Sequence, residues 1–321
     1  MTLIVSLASP DVAVLIADRR LSRNGAVLND EYNKVTVLFC ADARMAVAFT
    51  GVATLPNFDA STWIAETLHS VAGQATGVHE VLENFRQRLA ERFRTLSSPN
   101  LRLTVVFCGF VYWGAAPEPR IYVVSNFETG NHEQSTFSTR IVGAPGARIL
   151  ELAGATAAIS EKTRLRLLAL LDAEVPSAAL VRFAVKHIQN SASDSRSLGS
   201  IGEQCNAAVV RSIVDTPVTT TYHTARNANR AYGPNVVIAG SLISLGSEVM
   251  APGILAGPDI RKRDPCWCGS GLTFKHCHLQ KYGAVYLKHP AWNRPLVSMI
   301  QTRREESSPA GKVFCVQSGY V

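Results

Sequence analysis

The sequence has no run of ~18 or more predominantly apolar residues, the minimum for a membrane-crossing helix. Its longest weakly charged stretch, about 231–258, is interrupted by Gly, Pro, Asn and Ser, so no span is expected. No basic residue precedes the apolar run Leu3-Ile4-Val5, and Asp11 follows early, which is not the pattern of a secretory signal. Internal repeats are absent. Cysteine is sparse and odd in number: of seven, Cys40, Cys108, Cys205 and Cys315 stand singly in apolar surroundings. They read as reduced core thiols rather than a disulfide scaffold, which fits a cytoplasmic compartment. Acidic residues are scarce only at one end. Residues 261–321 hold ten Lys/Arg and three Asp/Glu, whereas residues 1–260 hold 22 of each. The whole formal charge of +7 therefore sits in the C-terminal segment. That excludes a uniformly basic protein that coats nucleic acid and indicates a neutral body with a basic appendage.

What remains is ample for a core: 321 residues, 47% hydrophobic. The β-rich runs Leu3–Ala8 and Val12–Asp18, separated by Ser-Pro-Asp, predict paired strands. A second pair is expected at Val35–Cys40 and Ala46–Thr50. Apolar residues at three- and four-residue spacing (Val78, Val81, Leu82, Phe85, Leu89, Phe93) predict a helix over Val78–Leu96, preceded by one at Thr62–Val71. Strands are expected at Leu101–Phe110, Ile121–Ser125 and Thr139–Val142. Helices follow at Ala147–Ala155, Thr163–Leu171 and Ser177–Asn190, then strands at Asn206–Val214, Val218–His223 and Val236–Ile238. This order is not strict βαβ alternation, so two sheets face to face with helices outside are favoured over a doubly wound sheet. The expected organisation is a domain over 2–243, a Gly/Ser/Pro-rich linker over 244–262, a Cys/His module over 263–282 and a basic tail over 283–321.

Thr2 follows Met1, and methionine aminopeptidases remove Met before small residues. A Thr at a free N-terminus carries a hydroxyl and an α-amine that can act as its general base. The amine's ordinary pKa, near ~8, is already close to working pH. Asp18 at the end of one strand and Lys34 before the next can meet near the chain start. A lysine cation there lowers the amine's pKa, and Asp18 holds the lysine. The same pair read blandly is an ordinary salt bridge.

Thr2, Asp18 and Lys34, with Ala17-Asp18-Arg19-Arg20 between them, resemble the start of a proteasome β-subunit or the related bacterial two-component threonine protease. The resemblance extends over roughly 2–240. It implies an α+β fold, a four-layer α/β/β/α N-terminal nucleophile hydrolase sandwich, and a homo-oligomeric threonine peptidase acting on peptides or proteins. Through Ala48-Phe49-Thr50-Gly51 it implies Gly51, with Thr50, as the oxyanion donor. Ser22 falls where the family aligns substrate through its backbone. Arg140–Gly146 resembles a strand-to-helix turn, with Ala144 where these proteases usually have Ser. Asp194-Ser195-Arg196-Ser197 followed by Gly199 implies that Asp194 and Ser197 support the N-terminal Thr. A scaffold of this fold acting as an adaptor, or a non-proteolytic amidase, is the alternative.

Between 264 and 278 lie three Cys and two His. Thiolates with an imidazole suit tetrahedral Zn²⁺, with Cys266 and Cys268 as one arm and Cys277 and His278 as the other. Gly269-Ser270-Gly271 lets the chain turn back. Four protein ligands leave no open position, so one structural zinc per chain is expected, supplying the folding energy a segment this short cannot obtain from a core. The segment resembles the SEC-C motif, which implies a docking module. Arg261, Lys262, Arg263, Lys275 and Lys281 around it suit an acidic protein surface or a nucleic-acid phosphate.

Overall fold

The computed structural model describes residues 2–23, 26–98, 101–114, 116–128, 135–144, 146–223, 230–246, 248–250, 296–304 and 312–320, together with residues 263, 273 and 276. The chain opens with β1 (Leu3–Ala8) and β2 (Val12–Asp18), then a small ribbon, β3 (Leu21–Arg23) and β4 (Ala26–Asn29). β5 (Val35–Phe39), β6 (Ala43–Gly51), β7 (Thr54–Leu55) and β8 (Phe58–Asp59) lead to helices α1 (Ala60–Ala72) and α2 (Val78–Thr95). β9 (Leu103–Val111), β10 (Glu118–Ser125), β11 (Ser138–Val142) and β12 (Ile149–Gly154) precede α3 (Glu161–Asp172) and α4 (Ser177–Ala192). Strands β13 (Cys205–Arg211), β14 (Val218–His223), β15 (Arg230–Tyr232), β16 (Asn235–Ile238), β17 (Leu242–Ser244), β18 (Glu248–Met250), β19 (Leu296–Arg304) and β20 (Lys312–Tyr320) follow.

Two seven-stranded sheets result. One has the order β12-β1-β2-β13-β14-β19-β20, the other β11-β10-β9-β6-β5-β16-β17. Their pairs are antiparallel except β16 with β5. Three apolar clusters show how the layers stack. Ile4, Leu15, Ala17, Val37, Ala46, Val106 and Ala208 pack between the sheets. Leu3, Val14 and Ile16 on the other face of the first sheet meet Leu167, Leu180, Val181 and Ile188 of α3 and α4. Met45, Val47 and Phe107 meet Ile64, Leu68, Phe85 and Phe93 of α1 and α2. The arrangement is therefore helix, sheet, sheet, helix. It explains why β1 and β2 are apolar on both faces and buried throughout. Asp59 caps α1 by accepting from Thr62 N at 2.9 Å, and Ser160 caps α3 by accepting from Thr163 N at 3.2 Å.

One expected element is wrong. Residues 149–154 form a strand where Ala147–Ala155 reads as a helix. β12 pairs along the whole of β1, from Leu3 opposite Gly154 to Ala8 opposite Ile149. Ile-Leu-Glu-Leu-Ala is rich in helix formers, but the open edge of β1 offers six residues of ladder, and tertiary pairing overrides propensity. Arg140–Val142 consequently end β11, and Gly143, Ala144 and Gly146 lie between two strands rather than between a strand and a helix. β18 lies within the expected linker and pairs with β15. In the basic tail, β19 and β20 form a hairpin whose first strand joins β14.

Candidate active site

Side chains alternate between the faces of a strand, so the polar residues at one end of the sandwich can be placed by parity. Thr2 shares the parity of Ile4 and Ala8, Thr50 that of Ala46 and Ala48, and Thr104 that of Val106 and Cys108; these apolar residues all face the inter-sheet core. Three hydroxyls thus converge where the two sheets end. Thr2 is 4% exposed, Thr50 1% and Thr104 0%.

Asp18 ends β2 directly beside the start of β1, because Ile4 pairs with Ala17. Its carboxylate accepts from Leu3 N at 2.7 Å, Arg20 N at 2.9 Å and Gly202 N at 3.1 Å. Lys34, just before β5 of the other sheet, reaches across. Its Nζ lies 3.5 Å from Asp18 Oδ1, donates to Thr2 Oγ1 at 2.5 Å, and also donates to the Arg20 carbonyl. An ammonium has three N–H donors, and three acceptors surround this one. Burial pushes the Lys34 ammonium below its ordinary value, and Asp18 opposes that shift. Cys205 sits opposite Asp18 in the β2–β13 ladder; burial and then the Asp18 charge hold its thiol well above the ordinary range, so it is an inert neighbour.

The Thr2 backbone is held from the second sheet. Thr2 N donates to Thr50 Oγ1 at 3.1 Å, and the same hydroxyl donates to Thr2 O at 3.2 Å. Ala155 N also donates to Thr2 O, at 2.9 Å. Gly154 makes this approach possible. It adopts φ +84°, and a Cβ there would lie 1.9 Å from Thr2 O and 2.6 Å from Thr50 Oγ1. Glu128 accepts from Gly154 N at 2.9 Å, and burial raises its carboxyl pKa. Gly51 follows Thr50 at φ +112°, where a Cβ would lie 2.1 Å from Arg102 O. Ser22 lies half-buried on β3, next to a register shift in the ribbon.

The sequence-predicted residues therefore divide. Lys34 contacts both Thr2 and Asp18, with Thr50 and Gly51 alongside. Asp194 is engaged elsewhere: it caps a short 3₁₀ turn, accepts from Arg196 N at 2.8 Å, and binds the Arg196 guanidinium at 2.6–3.1 Å. Those bonds pull its carboxyl down to about 2. Ser197 is buried, and its hydroxyl accepts from Gly199 N at 3.3 Å. Among the described residues, neither forms a hydrogen bond with Thr2. Ala144 is exposed in its turn. Sequence reasoning missed Gly154 and Glu128. The signal for Gly154 was a lone glycine ending an apolar run, the mark of a close backbone approach. Cys266, Cys268, Cys277 and His278 lie outside the described residues. Among the described residues, no group of His, Cys, Asp or Glu is placed to hold a metal, and no helix is long and apolar enough to cross a membrane.

Two facing sheets enclosed by helices thus carry a buried cluster of Thr2, Lys34 and Asp18. Solved structures similar to the chain include Anbu (ancestral β-subunit) from Yersinia bercovieri, with 13% identity over 64% of this chain and 80% of that one and a TM-score of 0.42. Eukaryotic HslV from Trypanosoma brucei is similar with 17% identity over 65% of this chain and 99% of that one, at a TM-score of 0.41. Residues 263–280 match the family model of the SEC-C motif. No curated protein sequence matches the chain significantly.

Proposed function

We propose that the protein is a threonine-type amide hydrolase, a peptidase first, whose nucleophile is Thr2 after Met1 has been removed. The observation that carries this reading is the Lys34 ammonium on Thr2 Oγ1, fixed by Asp18. A cation at that oxygen favours the developing alkoxide, so Lys34 acts on the hydroxyl as well as on the neighbouring amine. In the first step the free α-amine takes the hydroxyl proton while Oγ1 bonds to the amide carbonyl carbon. Gly51 N–H stabilises the oxyanion, and Ser22 aligns the substrate strand. The amine then gives its proton to the leaving nitrogen as the C–N bond breaks, which leaves an ester on Thr2. Water attacks that ester: its oxygen bonds to the acyl carbon, the C–Oγ1 bond breaks, one water proton passes to Oγ1 and the carboxylic acid leaves. Asp194 and Ser197 are assigned to the amine by resemblance, and the Asp194 carboxylate meets the Arg196 guanidinium as well.

The donor chemistry of Cys266, Cys268, Cys277 and His278 fits one structural Zn²⁺, which would hold the C-terminal module folded. That basic module would dock an acidic protein or nucleic-acid partner, and the hydrolase domain would act as a cytoplasmic homo-oligomer. A second reading, a catalytically weak scaffold serving as an adaptor, is favoured by the engagement of Asp194 with Arg196. A peptide epoxyketone decides between them. Labelling of Thr2 in wild type, absent in Thr2→Ala, supports the hydrolase. Native protein with Met1 retained, or wild type left unlabelled, overturns it in favour of the scaffold. Labelling without cleavage of casein or peptides indicates an amidase.

A further inference from the structure

We infer that Thr50 is a positioning residue for the Thr2 nitrogen, one that sets the direction of the α-amine lone pair rather than binding substrate. This rests on the reading of Thr2 as an N-terminal nucleophile. The argument begins from the single hydrogen of a hydroxyl. Thr50 spends it on Thr2 O, at 3.2 Å. Towards Thr2 N, at 3.1 Å, the Thr50 oxygen can therefore only accept. With Met1 still attached, Thr2 N is a peptide nitrogen whose single N–H points to Thr50 on the second sheet, and the α-amine exposed by Met1 removal keeps that acceptor beside it. The Thr2 side chain carries Oγ1, which receives the Lys34 ammonium at 2.5 Å. An amine held by one N–H towards Thr50 keeps its lone pair off that side, in one of the two positions left to it, where it is available to the proton of its own hydroxyl.

Three features make this a built arrangement. Thr50 is 1% exposed, so its hydroxyl is shielded from bulk solvent. Its backbone is locked opposite Thr104 in the β6–β9 ladder. Gly154, by lacking a Cβ, lets the Thr2 carbonyl and the Thr50 hydroxyl meet in one place. Valine at position 50 would keep the shape and remove the acceptor.

The test uses full-length protein shown by intact mass to begin at Thr2, as wild type, Thr50→Ser and Thr50→Val. One measurement is the pKa of the Thr2 α-amine, from competitive acetylation with acetic anhydride across pH, read by mass spectrometry. An acceptor favours the charged ammonium, so its loss lowers the amine pKa, here by about one unit in Thr50→Val. The second measurement is the pH–rate profile of Thr2 labelling by a peptide epoxyketone. In Thr50→Val the acid limb moves to lower pH with the amine, and the plateau falls about tenfold as the lone pair loses its direction. Thr50→Ser restores both towards wild type. An unchanged amine pKa in Thr50→Val overturns the inference, as does Thr50→Ser behaving like Thr50→Val, which would mark a packing effect. A wild type that resists the epoxyketone while Thr50→Val still shifts the amine removes the hydrolase reading and leaves Thr50 as the group that fixes the nitrogen.

Discussion

Gly154→Ala tests the contact between the sheets at the chain start. Position 154 has φ +84°, and left-handed backbone costs an L-residue about 1–2 kcal/mol. The added methyl would lie 1.9 Å from Thr2 O and 2.6 Å from Thr50 Oγ1, far inside van der Waals contact. The chain must relax by moving Thr2 O away, which weakens its bonds from Ala155 N and Thr50 Oγ1, at about 1 kcal/mol each. The total is roughly 3–4 kcal/mol, or about 10 °C in Tm for a domain of this size. Gly146→Ala is the matched control: its φ is +71°, but nothing lies within 4 Å of the added Cβ. It carries the backbone cost alone, about 1–2 kcal/mol and ~4 °C. Thermal unfolding followed by circular dichroism measures both, and Thr2 labelling should be lost in Gly154→Ala only. Equal Tm losses in the two variants would refute the claim that Gly154 exists to let Thr2 and Thr50 meet.

Asp18→Ala leaves Leu3 N, Arg20 N and Gly202 N without their carboxylate and Lys34 as a buried unpaired cation. Breaking a buried ion pair from one side costs about 3–5 kcal/mol, so urea unfolding should move to a markedly lower midpoint, and a variant within 1 kcal/mol of wild type would contradict the pairing. His223 is buried with its Nε2 2.8 Å from Thr221 Oγ1, and burial lowers its pKa to about 4 from the ordinary 6.5. The unfolded chain binds that proton first, so the stability His223 confers is present above about pH 6.5 and is lost as pH falls towards 4, by at most ~3 kcal/mol. His223→Gln should flatten the pH dependence of Tm between those values; an unchanged slope would show that the imidazole does not titrate as inferred. For the C-terminal module, metal analysis should give about one Zn per chain. Cys266→Ser should release that zinc without changing Thr2 labelling, and coupled loss of both would place the module in the site.

The parts of the fold that could be read from sequence are those where one local signal suffices. β1 and β2 are unbroken apolar runs because one face meets the opposing sheet and the other meets α3 and α4. α2 shows its period because Val78, Val81, Leu82, Phe85, Leu89 and Phe93 line a single buried face. β12 was misread because its composition favours a helix and only the open edge of β1, some 145 residues earlier in the register, makes it a strand. Pairing partners that distant leave no mark in a local window.

The same distinction governs the site. Asp18 reaches Leu3 N, next to Thr2, because a short hairpin between β1 and β2 returns the chain to its start, and Lys34 arrives because β5 begins the facing sheet at the same end of the sandwich. Spacing along the chain translates there into proximity through regular elements. Asp194 and Ser197 belong to an irregular segment, where the choice of partner is made by whichever group stands nearest. Arg196, two residues away, offers Asp194 a backbone N–H and a guanidinium at once, and the carboxylate takes that fork. Thr50 is the converse case. It sits on a regular strand, its parity with Ala46 and Ala48 aims it between the sheets, and its hydroxyl meets the backbone of Thr2 there. A polar residue on the inner face at a strand end is thus a better guide to this site than a short motif in a loop. Moving the acceptor off that strand, as Thr50→Val does, should disturb the Thr2 nitrogen more than any change confined to the 194–199 turn.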